Sequence, residues 1–289
     1  MIGYMTDKNA LKRVRLIALD LDGTYLNERS AVSERNKEAV RRAEENGIHV
    51  VLSTGRPFCG ILPEYVKDTP IRYAVTTNGA GVYEFDQNEK TCLFEHSMDY
   101  EKVAGICDFL LTKKVHFDVF MNGDGYTDEH VLKYIDELAM PDELKYYLHG
   151  TRKTVSDISA FLRERKNPVQ KVTMNFPPAF YQTDRREVQD FLTADKTLRV
   201  VSGGYMNLEF TDEAVSKARA LDFLLKHLGL SVDQCMAVGD SENDLDMIRF
   251  AGVGAAMGNA SGEVKEAADI VAKDNIHDGV AELIDSIME

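Results

Sequence analysis

A short apolar strand that ends on an aspartate, then an amphipathic helix, then a second short apolar strand is the feature that most restricts this chain's fold. Val14–Leu19 is basic at its start and apolar as it enters a core, and it stops at Asp20-Leu-Asp-Gly-Thr24. A helix is predicted over Ser33–Asn46, with Ser33 as N-cap, Val32 as the apolar staple and Gly47 at the C-terminal stop. Its inward stripe reads Asn36, Ala39, Val40 and Ala43. Ile48–Leu52 is mostly apolar with no sustained alternation, which fits a parallel strand covered on both faces. The three pieces make a βαβ unit with a right-handed crossover.

The C-terminal third repeats the idiom. A helix is predicted over 212–228, a strand over Gln234–Val238 and a helix over Asn243–Phe250. A strand follows over Val253–Met257, a brief helix over Glu263–Ala268 and a strand fragment at Ile270-Val271. Val280, Leu283, Ile284 and Ile287 mark the apolar face of a final helix. The middle reads differently. Val115, Phe117, Val119 and Met121 alternate with mostly polar neighbours, as do residues 169–176, which predicts strands with one covered face. Helices are expected at Tyr100–Leu111, Glu129–Leu138, Val155–Glu164 and Arg186–Leu192, and further strands at Leu198–Val201 and Met206–Phe210. The fold class is therefore α/β, a Rossmann-like parallel-sheet core with an inserted α+β unit. The core is expected over residues 1–81 and 212–289, and the insertion over residues 82–211.

Composition removes several function classes. Apolar residues make up 44% and charged residues 28%, values of an ordinary globular protein with a core. The balance of 34 basic to 48 acidic side chains gives a formal charge of -14, which repels a nucleic-acid backbone. The apolar runs are far too short to span a membrane, and no signal peptide is read at the start. Cys59, Cys92, Cys107 and Cys235 are widely spaced without a CxxC pair, as expected of reduced thiols in a cytoplasmic protein.

Three loops carry candidate chemistry, each at the carboxyl end of a predicted core strand, where open parallel sheets bind ligands. The first holds Asp20 and Asp22, with Gly23 permitting a tight turn and Thr24 able to hydrogen-bond within it. Alone, such a pair is equally well a polar turn. The second is Ser53-Thr54-Gly55-Arg56, whose hydroxyl and amides suit a phosphate, with Pro57 expected to open a helix that adds its positive end. Arg56 can serve phosphate or an ordinary ion pair. The third is Gly239-Asp240-Ser241-Glu242-Asn243-Asp244, in which an opening helical turn brings Asp244 back beside Asp240. Clustered, Asp20, Asp22, Asp240 and Asp244 repel one another without a cation, and an oxygen-only set suits magnesium. The seven histidines are scattered, with no HxH or HExxH, so zinc is not expected. Lys217 lies where the chain re-enters the α/β pattern and can neutralise Asp20 and a bound phosphoryl group.

Taken together, DLDGT at 20–24, Thr54 in LSTGR, Lys217 and GDSENDLDM at 239–247 resemble the haloacid dehalogenase-like superfamily of aspartyl phosphatases. Order and spacing are similar to its Cof-type branch (type IIB), with a large α/β cap between the second and third motifs. The tail AGVGAAMGNA at 251–260 and TTNGA at 76–80 resemble that branch as well. The resemblance implies that Asp20 is the nucleophile and a magnesium ligand. It implies that Asp22 is the acid and base, its backbone carbonyl also binding the metal. Thr54, with Gly55 beside it, and Lys217 would hold the phosphoryl oxygens. Asp240 would bind Mg2+ with Asp244 in direct or water-mediated support, and Asn243 would lie near the phosphate. One departure is Ala218, where the branch commonly has glycine after the lysine.

The function expected is magnesium-dependent hydrolysis of small-molecule phosphate monoesters, such as sugar or cofactor phosphates. The insertion is expected to exclude water and to contact the organic part of the substrate. Two other readings use the same groups: a sugar-phosphate mutase, and a catalytically silent phosphate- or metal-binding regulator. A receiver-like protein would share the phosphorylatable aspartate, but it would be shorter and would lack the insertion.

Overall fold

The computed structural model describes residues 8–86, 89–202 and 204–288; residues 1–7 of the segment searched for a signal peptide lie outside them. Along the chain the strands are β1 (Leu16–Leu19), β2 (His49–Ser53), β3 (Tyr73–Thr76), β4 (Gly81–Phe85) and β5 (Lys90–Glu95). Then come β6 (His116–Met121), β7 (Asp124–Asp128), β8 (Arg152–Val155), β9 (Lys171–Asn175), β10 (Leu198–Val201) and β11 (Leu208–Asp212). The last are β12 (Cys235–Gly239), β13 (Val253–Ala256) and β14 (Ile270–Val271). Two compact units result: one holds the chain up to Arg56, Ile61–Phe94 and Ser216 onward, the other Pro57–Gly60 and Glu95–Val215.

The first unit is built on an eight-stranded sheet in the order β14-β13-β12-β1-β2-β3-β4-β5. From β14 to β3 every pairing is parallel, and β4 turns back antiparallel on β3. β1 carries the burial pattern of a strand covered on both faces: Leu16, Ile17, Ala18 and Leu19 are all buried. Its neighbours are β2 and β12, the second of which returns from the far end of the chain. The strand order thus reverses at β1, and open parallel sheets bind ligands beyond the carboxyl ends of the strands at such a point, here those of β1, β2 and β12. The helix Glu34–Glu45 forms because Ser33 accepts a hydrogen bond from the Asn36 amide, and Asn36, Ala39, Val40 and Ala43 are its buried stripe. Burying Val40 alone contributes about 1.5–3 kcal/mol, and a charge at Ala39 would undo that face.

The second unit is a six-stranded sheet in the order β10-β11-β9-β6-β7-β8, antiparallel except for the β7–β8 pair. Phe117, Val119, Met121, Val172, Met174 and Phe210 join one apolar core with the helices Tyr100–Leu110, Ile158–Arg165 and Asp184–Ala194.

Several details differ from the sequence expectations. The units change over at 94/95 and 215/216, whereas the sequence pattern put the edges of the insertion at 82 and 211. The reason is that β4 and β5 hydrogen-bond onto the core sheet beyond β3. β6 is buried on both faces, so His116 and Asp118 lie inside. The helix expected over Glu129–Leu138 is a 3-10 segment, Glu129–Tyr134, and a helix the sequence did not announce spans Asp142–Thr151. No described helix is long and apolar enough to cross a membrane.

Candidate active site

Asp20 leaves β1 at the carboxyl edge and is buried, its amide donating to the Val238 carbonyl of β12 at 2.9 Å. Gly23 then turns the chain with φ +80°, and a Cβ there would lie 2.4 Å from Asp240 Oδ2. Only glycine allows the first and third loops to approach this closely. In the third loop Asp244 folds back as the spacing requires: its Oδ2 accepts from the amides of Asp240 (3.0 Å) and Ser241 (3.1 Å). Asp20, Asp240 and Asp244 each place a carboxylate oxygen within 4.8 Å of the others.

Lys217 is the cation of this cluster. Ser216 caps the helix Lys217–His227, and the Lys217 side chain is buried completely, with Nζ 2.8 Å from Asp20 Oδ1 and 2.6 Å from Asp244 Oδ1. Burial opposes its charge, yet the two carboxylates outweigh that cost and hold its pKa above the ordinary lysine value. Burial raises the Asp20 pKa well above the usual carboxylate range, with Asp244 adding to the rise and Lys217 opposing it. Burial, then Asp244, pushes Asp240 up to about 6. Both rises come first from burial, which the negative charge of Asp244 reinforces against the opposing Lys217. Asp240 Oδ1 is buried and has no hydrogen-bond partner among the described residues. A crowded oxygen-only donor set with an orphaned buried oxygen fits a hard divalent cation such as Mg2+.

Asp22 stands beside this group of three rather than within it, close enough for its charge to add to the rises at Asp20 and Asp240. Its carboxylate is gripped by Arg56, Nε to Oδ2 at 2.8 Å and Nη2 to Oδ1 at 2.5 Å, with the Asp22 side chain 55% exposed. Of the two uses open to Arg56, the ion pair is the one realised here. Arg56 also stacks over Tyr65, with its guanidinium carbon 5.5 Å from the ring centroid. Thr54 is buried, its Oγ1 accepting from the Arg56 amide at 3.1 Å, which leaves the hydroxyl hydrogen available as a donor. Asn243 is exposed, its Nδ2 donating to Asn78 Oδ1 at 3.1 Å. The helix expected to open at Pro57 does not form. Phe58–Gly60 is a single 3-10 turn, and the next described helix begins at Pro63. Ala218 sits in the first turn of its helix, where alanine is favoured over glycine, and its amide donates to Asp246 Oδ2 at 3.3 Å.

Sequence reasoning missed two braces. Asn259 Nδ2 donates to the Gly23 carbonyl at 2.8 Å and to Asp240 Oδ2 at 3.3 Å, and Asn275 supports Asn259 through its amide at 3.1 Å. Asn78, in the turn after β3, is the other. Both are lone asparagines in loops with no periodic or spacing signal, although the segments that hold them, TTNGA and AGVGAAMGNA, resemble the branch.

The haloacid dehalogenase-like hydrolase family profile matches residues 17–284. The chain belongs to that family. It is 31% identical to the 5-amino-6-(5-phospho-D-ribitylamino)uracil phosphatase YcsE of Bacillus subtilis (strain 168) over 276 residues, covering 94% of each chain. It is 29% identical to the pyridoxal phosphate phosphatase YbhA of Escherichia coli (strain K12), covering 93% of this chain and 97% of that one. Among solved structures, a haloacid dehalogenase-like hydrolase from Bacteroides thetaiotaomicron superposes with a TM-score of 0.78 at 29% identity, covering 95% and 99% of the two chains. Relatedness extends to the Cof-type branch, as the motif order implies. Family, fold and aspartate cluster together support phosphatase activity.

Proposed function

We propose that this chain hydrolyses small-molecule phosphate monoesters, sugar or cofactor phosphates, in a magnesium-dependent reaction through a phospho-aspartyl intermediate on Asp20. The observation that carries the reading is the buried Lys217 bridging Asp20 and Asp244 at the carboxyl edge of β1, with Asp240 in the same cluster. The relatives' substrates, a phosphorylated ribitylaminouracil and pyridoxal phosphate, are compact organic phosphates and support a similar class here. The formal charge of -14 and the absence of a membrane-spanning helix among the described residues favour a small solute, met in the cytoplasm, over nucleic acid or membrane.

Mg2+ would be held by Asp20, Asp240 and the backbone carbonyl of Asp22. Asp244 braces the set, since its oxygens already accept from Lys217 and two amides. When bound, the ion supplies the hard positive charge that draws an anionic phosphate into an acidic cluster and offsets its developing charge. Everything else falls to the chain. Thr54 Oγ1, the Gly55 backbone, Lys217 Nζ and Asn243 bind the phosphoryl oxygens and hold phosphorus in line with Asp20. The Asp20 carboxylate attacks phosphorus, the ester P–O bond breaks, and Asp22 gives its proton to the leaving oxygen. Asp22, now ionised, takes a proton from water as that water attacks the phosphoryl group. The Asp20–phosphorus bond breaks, freeing inorganic phosphate and regenerating both carboxyl groups. Splitting a reaction that enzymes accelerate by up to about 10²¹ into two displacements lowers each barrier.

The test is phosphate release from a panel of sugar and cofactor monoesters with and without Mg2+, with product isomers assayed in parallel. Phosphate without isomer is expected. Isomer without phosphate would make the chain a mutase, and neither from folded protein would make it a silent binder.

A further inference from the structure

The turn that follows β3 runs against ordinary backbone preference. Thr77, Asn78 and Gly79 all have positive φ, at 50°, 58° and 103°. Two consecutive side-chain-bearing residues in that region persist only where surrounding contacts over-determine them. Here the contacts run to each candidate phosphate-binding segment in turn. The Thr77 amide donates to the Arg56 carbonyl at 2.8 Å and the Asn78 amide to the Thr54 carbonyl at 3.1 Å, tying the turn to the Thr54–Gly55 loop. Gly79 packs directly on the start of the Lys217 helix, where a Cβ would lie 2.1 Å from the Ser216 carbonyl oxygen and 2.8 Å from the Lys217 amide. Asn78 Oδ1 accepts from Asn243 Nδ2 at 3.1 Å, while Asn243 Oδ1 accepts from Ser241 Oγ at 2.6 Å. The Asn243 amide is therefore held at both ends, and one Nδ2 hydrogen stays free for a ligand.

We infer that Asn78 is a positioning residue of the phosphate subsite. Its left-handed backbone carries the Thr54 loop and its side chain fixes the amide plane of Asn243, so that these two chain-distant phosphate donors share one reference point, while the adjacent Gly79 seats the start of the Lys217 helix. The role rests on the phosphatase reading above and adds to it a residue that touches no substrate. A geometry spanning three loops is worth holding rigid, because a donor already fixed in place has less freedom to lose when it binds its ligand.

Asn78→Gly is the informative variant, since glycine keeps the left-handed turn and deletes only the amide. It is compared with wild type, Asn243→Ala and the double variant by calorimetric binding of inorganic phosphate in the presence of Mg2+, by steady-state kinetics on a released-phosphate substrate, and by melting temperature. For Asn78→Gly, phosphate binding and KM are expected to weaken about tenfold, as for one hydrogen bond to a charged ligand. kcat should stay within about threefold and melting close to wild type, a split that general loosening would not give. The double variant should bind phosphate no more weakly than Asn243→Ala alone, because Asn78 acts through Asn243. Wild-type phosphate affinity in Asn78→Gly, or full additivity in the double variant, would overturn the assignment while leaving the hydrolase intact. A wild-type protein that binds phosphate without turnover would end the hydrolase reading, and the binding cycle would still decide this one. A folded wild type that neither binds nor releases phosphate ends both.

Discussion

Lys217 donates to Asp20 across 2.8 Å with both side chains shut away from solvent, and the same ammonium reaches Asp244 at 2.6 Å. One cation thus holds together two carboxylates that come from opposite ends of the chain. Removing one partner of a buried pair leaves an uncompensated charge, at about 3–5 kcal/mol. Lys217→Met should therefore lower the melting temperature on the order of 10 °C without added metal. Adding Asp244→Asn to it should return part of the loss. A single variant that melts with wild type, read by differential scanning calorimetry, would contradict this pairing.

The Arg56–Asp22 pair is of a different kind. It is half exposed, so its worth to stability is about 1 kcal/mol or less. Its fork geometry nonetheless fixes where the proposed acid/base carboxylate sits. Arg56→Ala is expected to leave melting nearly unchanged and to lower kcat roughly 10–100-fold, and Arg56→Lys should not restore it, because an ammonium lacks the two-pronged contact. Wild-type kcat in Arg56→Ala would remove Arg56 from the mechanism.

Metal binding should be visible without turnover. The Asp20, Asp240 and Asp244 carboxyl groups cluster within 4.8 Å, and Asp240 Oδ1 has no hydrogen-bond partner among the described residues. Magnesium should raise the protein's melting temperature in a concentration-dependent way, by about 2.7 kcal/mol of stability at a hundredfold excess over Kd. Asp240→Asn should respond less. Identical melting curves with and without Mg2+ would speak against a metal site at this cluster.

His116 supplies a pH dependence in the inserted unit. It is fully buried, its Nδ1 accepting from Asn175 Nδ2 at 3.3 Å and its Nε2 lying 3.4 Å from Thr127 Oγ1, whose own hydrogen goes to the Phe117 carbonyl at 2.9 Å. With Asn175 donating to Nδ1, the neutral ring carries its hydrogen on Nε2, which also lies 3.4 Å from Asp118 Oδ1. Burial lowers its pKa, Asp118 opposes the fall, and Arg152 and His149 deepen it. A depressed folded-state pKa means that the unfolded chain binds the extra proton first. Stability is thus full above about pH 6.5 and falls below it, by up to about 1.4 kcal/mol per pH unit. Denaturant titrations of His116→Gln against wild type should show that this share of the slope is lost. Parallel pH profiles for the two proteins would contradict the assignment.

What the sequence disclosed followed periodicity and strand-end placement. The stripe Asn36, Ala39, Val40 and Ala43, the strand ending at Asp20 and the return of Asp244 onto Asp240 all lie where local spacing puts them. What it concealed has little local signal. β7 and β8, DGYTD and RKTV, carry hardly an apolar side chain, so only backbone pairing with β6 reveals them. β4 and β5 fall in the stretch that the pattern gives to the insertion, because attachment to the edge of β3 is a long-range choice. Asn78 and Asn259 act through hydrogen bonds between loops distant in the chain, which spacing does not encode.

The most direct measurement is chemical trapping of the intermediate. Enzyme quenched during turnover of a phosphate monoester with Mg2+ is reduced with borohydride, which converts an aspartyl phosphate to homoserine, and its tryptic peptides are sequenced by mass spectrometry. Homoserine at position 20, within the peptide spanning residues 16–29, is the expected result, and Asp20→Asn should yield neither homoserine nor free phosphate. Phosphate release with position 20 unmodified, or undiminished release by Asp20→Asn, would contradict catalysis through Asp20.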